Sequence, residues 1–171
     1  ITTSSGSGNI TIGSGVTLKS NVPAFEAALT SNLTGQSAGT NILLSIDNEK
    51  YDSGGCYNNT GSSTTLNGLT APQYSFTPNS PGKYFVYGFC RLDASTTFPN
   101  DAYLKIYKNG AVAEQQQRQA SGNANGVSIQ RTIELNGTGD YIQLYVIAYN
   151  SSGLIFTGGN QMAFGAYRIG A

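Results

Sequence analysis

The chain has no histidine and no tryptophan, one methionine and only two cysteines among its 171 residues. Without histidine, Ser-His-Asp and Cys-His catalysis and most imidazole-ligated zinc sites are excluded. Two thiols, Cys56 and Cys90, cannot by themselves build a thiolate metal centre. They allow one disulfide, favoured in an extracellular setting; in a reducing compartment they would be buried apolar groups. Charge is scarce too, at 11% of residues against about 25% in an average domain. Nine Lys and Arg balance nine Asp and Glu, so no net field draws the chain to nucleic acid or an acidic membrane. No window approaches the roughly 20 apolar residues of a membrane-spanning helix. The carboxylates (Glu26, Asp47, Glu49, Asp52, Asp93, Asp101, Glu114, Glu134 and Asp140) are scattered. Their spacing nominates no pair of the kind a glycosidase sets across a cleft. The expectation is a protein that is not an enzyme, with no catalytic residues, no cofactor and no metal. Asp47, Glu49 and Asp52 offer oxygen ligands but no calcium-loop pattern, and read as solvated turn residues.

What is present is glycine (22), tyrosine (11) and phenylalanine (7), with Ser, Thr and Asn throughout. That composition makes short strands and many turns. The length suffices for one sizeable core and not for two comfortable ones. Residues 1–22 set short alternating pieces, Asn9 to Ile12 and Val16 to Leu18, between Gly-Ser spacers. Each piece is too short to be a stable sheet alone. The segment is a β-rich stem intertwined with identical copies, or a flexible linker. The chain opens on Ile1 rather than Met, as a fragment or processed product would.

Residues 23–171 read as an all-β head. Pro23 to Leu29 fits a helix on propensity or an edge strand after proline. Asn41 to Ile46 is a buried strand, Tyr51 to Asn59 is turn-rich, and Gly61 to Pro72 is a polar loop. Asp101 to Lys108 puts Leu104 and Ile106 on one face and Tyr103, Lys105 and Tyr107 on the other. Asn109-Gly110 then gives the strongest hairpin signal in the chain. Val127 to Leu135 alternates, with Arg131 the one polar residue on the apolar face, needing a partner or an interface. Tyr141 to Tyr149 and Met162 to Ile169 are further apolar strands.

The head is organised around Ser80 to Phe89, SPGKYFVYGF. Pro81-Gly82 sets a turn and Lys83 to Phe89 a strand. Tyr84 and Val86 lie on one face and Phe85, Tyr87 and Phe89 on the other. A strand apolar on both faces needs a core on one side and a second partner on the other. That partner is another copy of the chain, or the strand lies at the centre of a monomeric sandwich.

The stretch from Ile46 to Tyr84 resembles the signature of the complement C1q globular head, a family that shares its jelly roll with tumour necrosis factor. Ile46, Asp52, Tyr57, Phe76, Gly82 and Tyr84 occupy the signature places. The departures are Ile46 for an aromatic, 18 residues instead of six between Tyr57 and Phe76, and Val86 and Gly88 where aromatics usually follow. The extra twelve residues (18 minus six) fall in Asn58 to Ser75, the polar stretch, where an insertion costs little. Pro23 to Leu29 resembles the family's opening strand, Lys108-Asn109-Gly110 its central hairpin and Phe164 to Tyr167 its last strand. The resemblance implies a ten-stranded, two-sheet jelly-roll sandwich assembled as a tight homotrimer. It places Phe25, Phe85, Tyr87, Phe89, Phe164 and Tyr167 between subunits, with either Phe164 or Tyr167 turned to the axis.

Tyrosine is the functional excess. Exposed Tyr among Asn, Ser and Gly suits adaptable polar recognition, and flat aromatic faces suit sugar rings. Tyr57, Asn58, Asn59, Thr60 and Tyr103 are the candidate ligand residues. Tyr149 and the loops Asn58 to Pro72, Ser121 to Gly126 and Asn150 to Asn160 are further candidates. The low-charge Asn/Gly/Thr style resembles bacteriophage tail-fibre and other virion-fibre tips. The resulting expectation is an extracellular, virion-borne trimeric adhesin binding a host cell-surface glycan or protein receptor, without nucleic-acid or membrane partners. The alternatives are a structural fibre-trimerising head and a secreted C1q-like lectin or ligand.

Overall fold

The computed structural model describes residues 22–97, 99, 101–119, 125–149 and 152–171. Apart from Val22, the expected stem lies outside the described residues, as do residues 121–124 of one candidate loop. The described chain contains no helix and fifteen strand segments. In order these are β1 (Ala24–Leu29), β2 (Leu33–Gln36), β3 (Ile42–Leu43), β4 (Asn48–Ser53), β5 (Tyr57–Asn58), β6 (Thr64–Leu66), β7 (Leu69–Ala71) and β8 (Ser75–Phe76). Then follow β9 (Gly82–Thr97), β10 (Asp101–Lys108), β11 (Ala111–Gln119), β12 (Asn125–Leu135), β13 (Ile142–Tyr149), β14 (Ser152–Phe156) and β15 (Gly159–Gly170).

Short segments that lie end to end share one place in a sheet. On one side β9 pairs with β12; on the other, β15 lies beside its first half and β14 beside its second. β1 and β2 continue that layer, and β4 closes the edge. Across the core, β11, β10 and β13 run side by side, β3 and β8 share the far side of β13, and β5 follows β8. Each sheet thus has five strand places, ten in all, and the architecture is a jelly-roll sandwich. Every pairing among the described strands is antiparallel. Ala24–Leu29 is neither the expected helix nor an edge strand but an interior one, because both its edges are taken, by β15 and β4.

Alternation along β9 and β15 builds the core. Tyr84, Val86, Cys90, Met162, Phe164 and Ala166 are buried beneath the sheet, opposite Leu104, Ile106, Leu144 and Val146. At Gly88 a Cβ would stand 2.8 Å from a Leu144 methyl, so glycine there lets the two sheets meet. An aromatic stack fills the other end. Phe25 lies 4.4 Å from Tyr57 and 4.6 Å from Phe76, ring centre to ring centre, with Phe164 edge-on at 5.0 Å. Phe25 and Phe164 are fully buried inside a single chain. Their expected place between subunits is therefore corrected: the strand parity that turns Glu26, Gly165 and Tyr167 outward turns both phenylalanines in.

Cys56 and Cys90 are buried and free, so the possible disulfide is not formed and the alternative of buried apolar thiols is the one seen. Cys90 sits mid-sheet between Val127 and Met162, whereas Cys56 lies at the turn before β5, beside Asn67 and Asn79. Burial pushes both thiols up from their ordinary values.

The expected polar loop is a hairpin. β6 and β7 pair around Asn67-Gly68, both residues in left-handed conformation at φ 50° and 78°, as a two-residue hairpin turn requires. Asn109-Gly110, with φ 52° and 79°, makes the same turn between β10 and β11.

Candidate functional site

The sheet of β12, β9, β15, β1 and β4 presents an aromatic outer face. The strand parity that buries Tyr84 and Val86 turns Phe85, Tyr87 and Phe89 away from the core. One row crosses the whole sheet, Gln130, Tyr87, Gly165, Glu26 and Tyr51 standing opposite one another in turn. Gly165 has no side chain, and the Tyr87 ring lies across it; a Cβ there would come within 2.4 Å of that ring. The Tyr87 hydroxyl thereby reaches Glu26 and donates to its Oε2 at 2.5 Å. Burial, and then the bond to Glu26 and its charge, push the Tyr87 phenol well up, so it stays a donor.

The neighbouring row sets Phe85 beside Tyr167, ring centres 5.5 Å apart, with Phe85 and Tyr87 at 6.3 Å. Ala24 and Ala163 stand opposite Tyr167 and Phe89, so a bulky ridge runs beside a strip of small residues. Phe89, Tyr167, Tyr51 and Ile169 are 39%, 43%, 46% and 53% exposed, while Phe85 and Tyr87 are half-buried. Four of the six exposed large apolar side chains among the described residues, Tyr51, Phe89, Tyr167 and Ile169, lie on this face.

The signature residues serve the core. Tyr57 donates from its hydroxyl to the Ile46 carbonyl at 2.7 Å, and its backbone N–H donates to Asp52 Oδ2 at 2.8 Å. Burial pushes the Asp52 carboxyl up, against the backbone donors of Tyr57, Cys56 and Gly55 that hold it down. Phe76 pairs with Tyr57 across β5 and β8, and Tyr84 meets Phe76 edge-on at 5.6 Å. Tyr57 and Asn58, expected as ligand residues, are 3% and 2% exposed. That expectation is corrected, because Tyr57 fills the core and Asn58 holds the hairpin. The Asn58 Nδ2 donates to the carbonyls of Ser62, Ala71 and Pro72 at 2.8, 3.0 and 2.8 Å. Its Oδ1 accepts from the N–H and the hydroxyl of Thr60. Thr60 is exposed and Asn59 half-buried at this turn.

Asp47, Glu49 and Asp52 do not converge. Asp47 accepts from the Thr30 N–H at 2.8 Å, and no three potential metal ligands cluster among the described residues.

Tyr103 lies elsewhere, on the outer face of the second sheet. It meets Tyr149 edge-on at 6.1 Å, and one turn of the pattern away Tyr107 lies against Tyr145 at 4.1 Å. To the expected candidates Tyr103 and Tyr149 the structure adds Tyr107 and Tyr145, and the alternation of Asp101 to Lys108 already puts Tyr107 on the same face as Tyr103. The candidate loop Asn150 to Asn160 is largely strand, containing β14 and the start of β15.

At the sandwich's open side, β11 and β12 are edge strands facing one another. A groove of about 670 Å³ runs between them, lined by Gln116, Arg118, Val127, Ile129 and Gln130. Arg131 shares the inward parity of Ile129 and Ile133 but opens to solvent at this edge. It pairs with Glu114 across the gap at 3.2 Å, which supplies the partner its position demands.

The backbone has counterparts among solved structures. Crystal structures of murine APRIL at pH 5.0, pH 8.5 and pH 8.0 superpose with TM-scores of 0.57, 0.56 and 0.56. The identities are 10%, 11% and 10%; 86% of this chain is covered in each, and 99%, 98% and 98% of the APRIL chain. No protein-family model and no curated protein matches the sequence. The likeness is one of fold, a tumour necrosis factor-like jelly roll.

Proposed function

We propose that the chain is the head of a homotrimeric, non-enzymatic adhesin, displayed outside the cell at the tip of a virion fibre and bound to a host surface receptor. The outer face of β9 and β15 carries this reading. Phe85, Tyr87, Phe89 and Tyr167 form an aromatic ridge that a monomer would leave wet. Each of these side chains is already about half-buried or more in the single chain. Covering the rest contributes half of the roughly 1.5–3 kcal/mol of full burial, and the four per subunit reach the lower part of an association cost of about 4–15 kcal/mol. The C1q and tumour necrosis factor resemblance implies three copies around an axis. The low-charge, Gly-Ser-spaced sequence ahead of the head supports a fibre tip.

Phe85→Ser and Tyr87→Ser are each expected to raise the concentration at which the assembly dissociates by about a hundredfold, the effect of a central interface residue. Tyr103→Ser, on the other sheet, is expected to leave it unchanged. Sedimentation velocity across a dilution series reads the difference, and equal effects would overturn the choice of face. Labelled head added to intact host cells separates the adhesin from a purely structural cap: the adhesin binds, and the cap does not.

A further inference from the structure

The second sheet's outer face holds groups that assembly through β9 and β15 would leave free. Along β10, Tyr103, Lys105 and Tyr107 point outward, and β13 adds Tyr145 and Tyr149. The rings form two pairs, Tyr103 with Tyr149 and Tyr107 with Tyr145. Both are diagonal cross-strand pairs, since Tyr103 stands opposite Ile147 and Tyr107 opposite Gln143. Between them Lys105 reaches over β13 to donate to Asn41 Oδ1 at 2.8 Å. At one end Asp101 Oδ1 accepts from Gln117 Nε2 at 3.3 Å.

We propose that this tyrosine platform binds a neutral oligosaccharide, one ring of each pair stacking on a separate sugar unit while its partner ring braces it and Lys105, Asp101, Gln117 and Asn41 bond the sugar hydroxyls. The inference rests on the reading of the chain as a surface-binding head. Tyr103 and Tyr107 are four positions apart on one strand, about 13 Å at the usual rise, a span for several linked rings rather than one. Aromatic faces with a polar tip suit the alternately apolar and hydroxylated faces of a sugar. One cation and one anion on the platform leave no net field for an anionic ligand. An extended peptide finds no free edge beneath the rings themselves, because β10 is paired on both sides, by β11 and β13.

The test applies the labelled full chain to an array of neutral, sialylated and sulfated oligosaccharides, alongside Tyr103→Ala and Tyr107→Ala. Binding to neutral members, weakened roughly tenfold or more in each variant with assembly unchanged, supports the platform. Tyrosine nitration of the unmodified chain, mapped by mass spectrometry, gives a readout that does not depend on the variants folding. An array-positive neutral oligosaccharide should protect Tyr103, Tyr107, Tyr145 and Tyr149 and leave Tyr51 and Tyr167 as they were. Binding only to charged members, protection elsewhere, or no neutral binding at millimolar concentration overturns the proposal. Attachment to host cells that persists without neutral-oligosaccharide binding removes this inference alone; loss of both removes the head reading as well.

Discussion

Phe25→Ala is expected to lower the unfolding free energy by about 3–5 kcal/mol, the range for removing a buried phenylalanine. The ring is fully buried and touches three others, Tyr57, Phe76 and Phe164, at 4.4, 4.6 and 5.0 Å. These partners come from both sheets, on β5, β8 and β15, so the cavity would open where the layers join and could not be closed by one strand moving. Domains are typically stable by only about 5–15 kcal/mol, so the variant would unfold at much lower denaturant. Urea titration at fixed protein concentration measures this, since assembly also contributes to apparent stability. The result discriminates between the core placement and a subunit contact. A core Phe25 gives a large fall in the unfolding midpoint; an interface Phe25 would give folded monomers with little change in their own stability.

Deleting Gly61 through Thr70 is the second large effect. The segment reads in the sequence as a polar loop of a length that usually signals recognition, yet the structure uses it as a clasp. The deletion removes the Ser62 carbonyl, which accepts from the Asn58 amide and the Thr60 hydroxyl, and Asn67, whose Nδ2 donates to Gly54 and Gly55 at 2.7 and 2.9 Å. At about 0.5–1.5 kcal/mol net for each bond, the deletion should cost roughly 2–4 kcal/mol. For a chain of this size that is a fall in Tm of about 5–15 °C. Asn58→Ala should reproduce much of it, because it strands buried carbonyls without shortening the chain. Differential scanning calorimetry with a parallel cell-binding assay reads both quantities. An unchanged Tm with binding lost would make the hairpin a recognition element after all.

These two regions show what the sequence could and could not convey. The all-β class, the central strand and the Asn109-Gly110 hairpin follow from local chemistry, because turn residues and strict alternation act over a few positions. Asn67-Gly68 carries the same hairpin signal, flanked by Thr64-Thr65-Leu66 and Leu69-Thr70-Ala71. Its surrounding Ser and Thr residues masked it, since polar strands look like loop. The two-faced character of Lys83 to Phe89 was legible, and its parity correctly divides Tyr84 and Val86 from Phe85, Tyr87 and Phe89. The parity of Phe25 was not, because Ala24, Ala27 and Ala28 give β1 no apolar contrast between faces. The choice between paired and buried, unpaired cysteines was not legible, because their places depend on which strands pair across the sandwich, which a separation along the chain does not encode. The tyrosine pairs on the second sheet needed the register of β10 against β13 before Tyr107 and Tyr145 could be seen as neighbours.

Sedimentation equilibrium of the full chain at micromolar concentration tests the central claim, that the aromatic face of β9 and β15 assembles the molecule. The expected result is a single species of three times the 17.9 kDa chain mass, persisting on dilution. A folded monomer at that concentration, with the ordered near-ultraviolet dichroism of packed tyrosines, would contradict it.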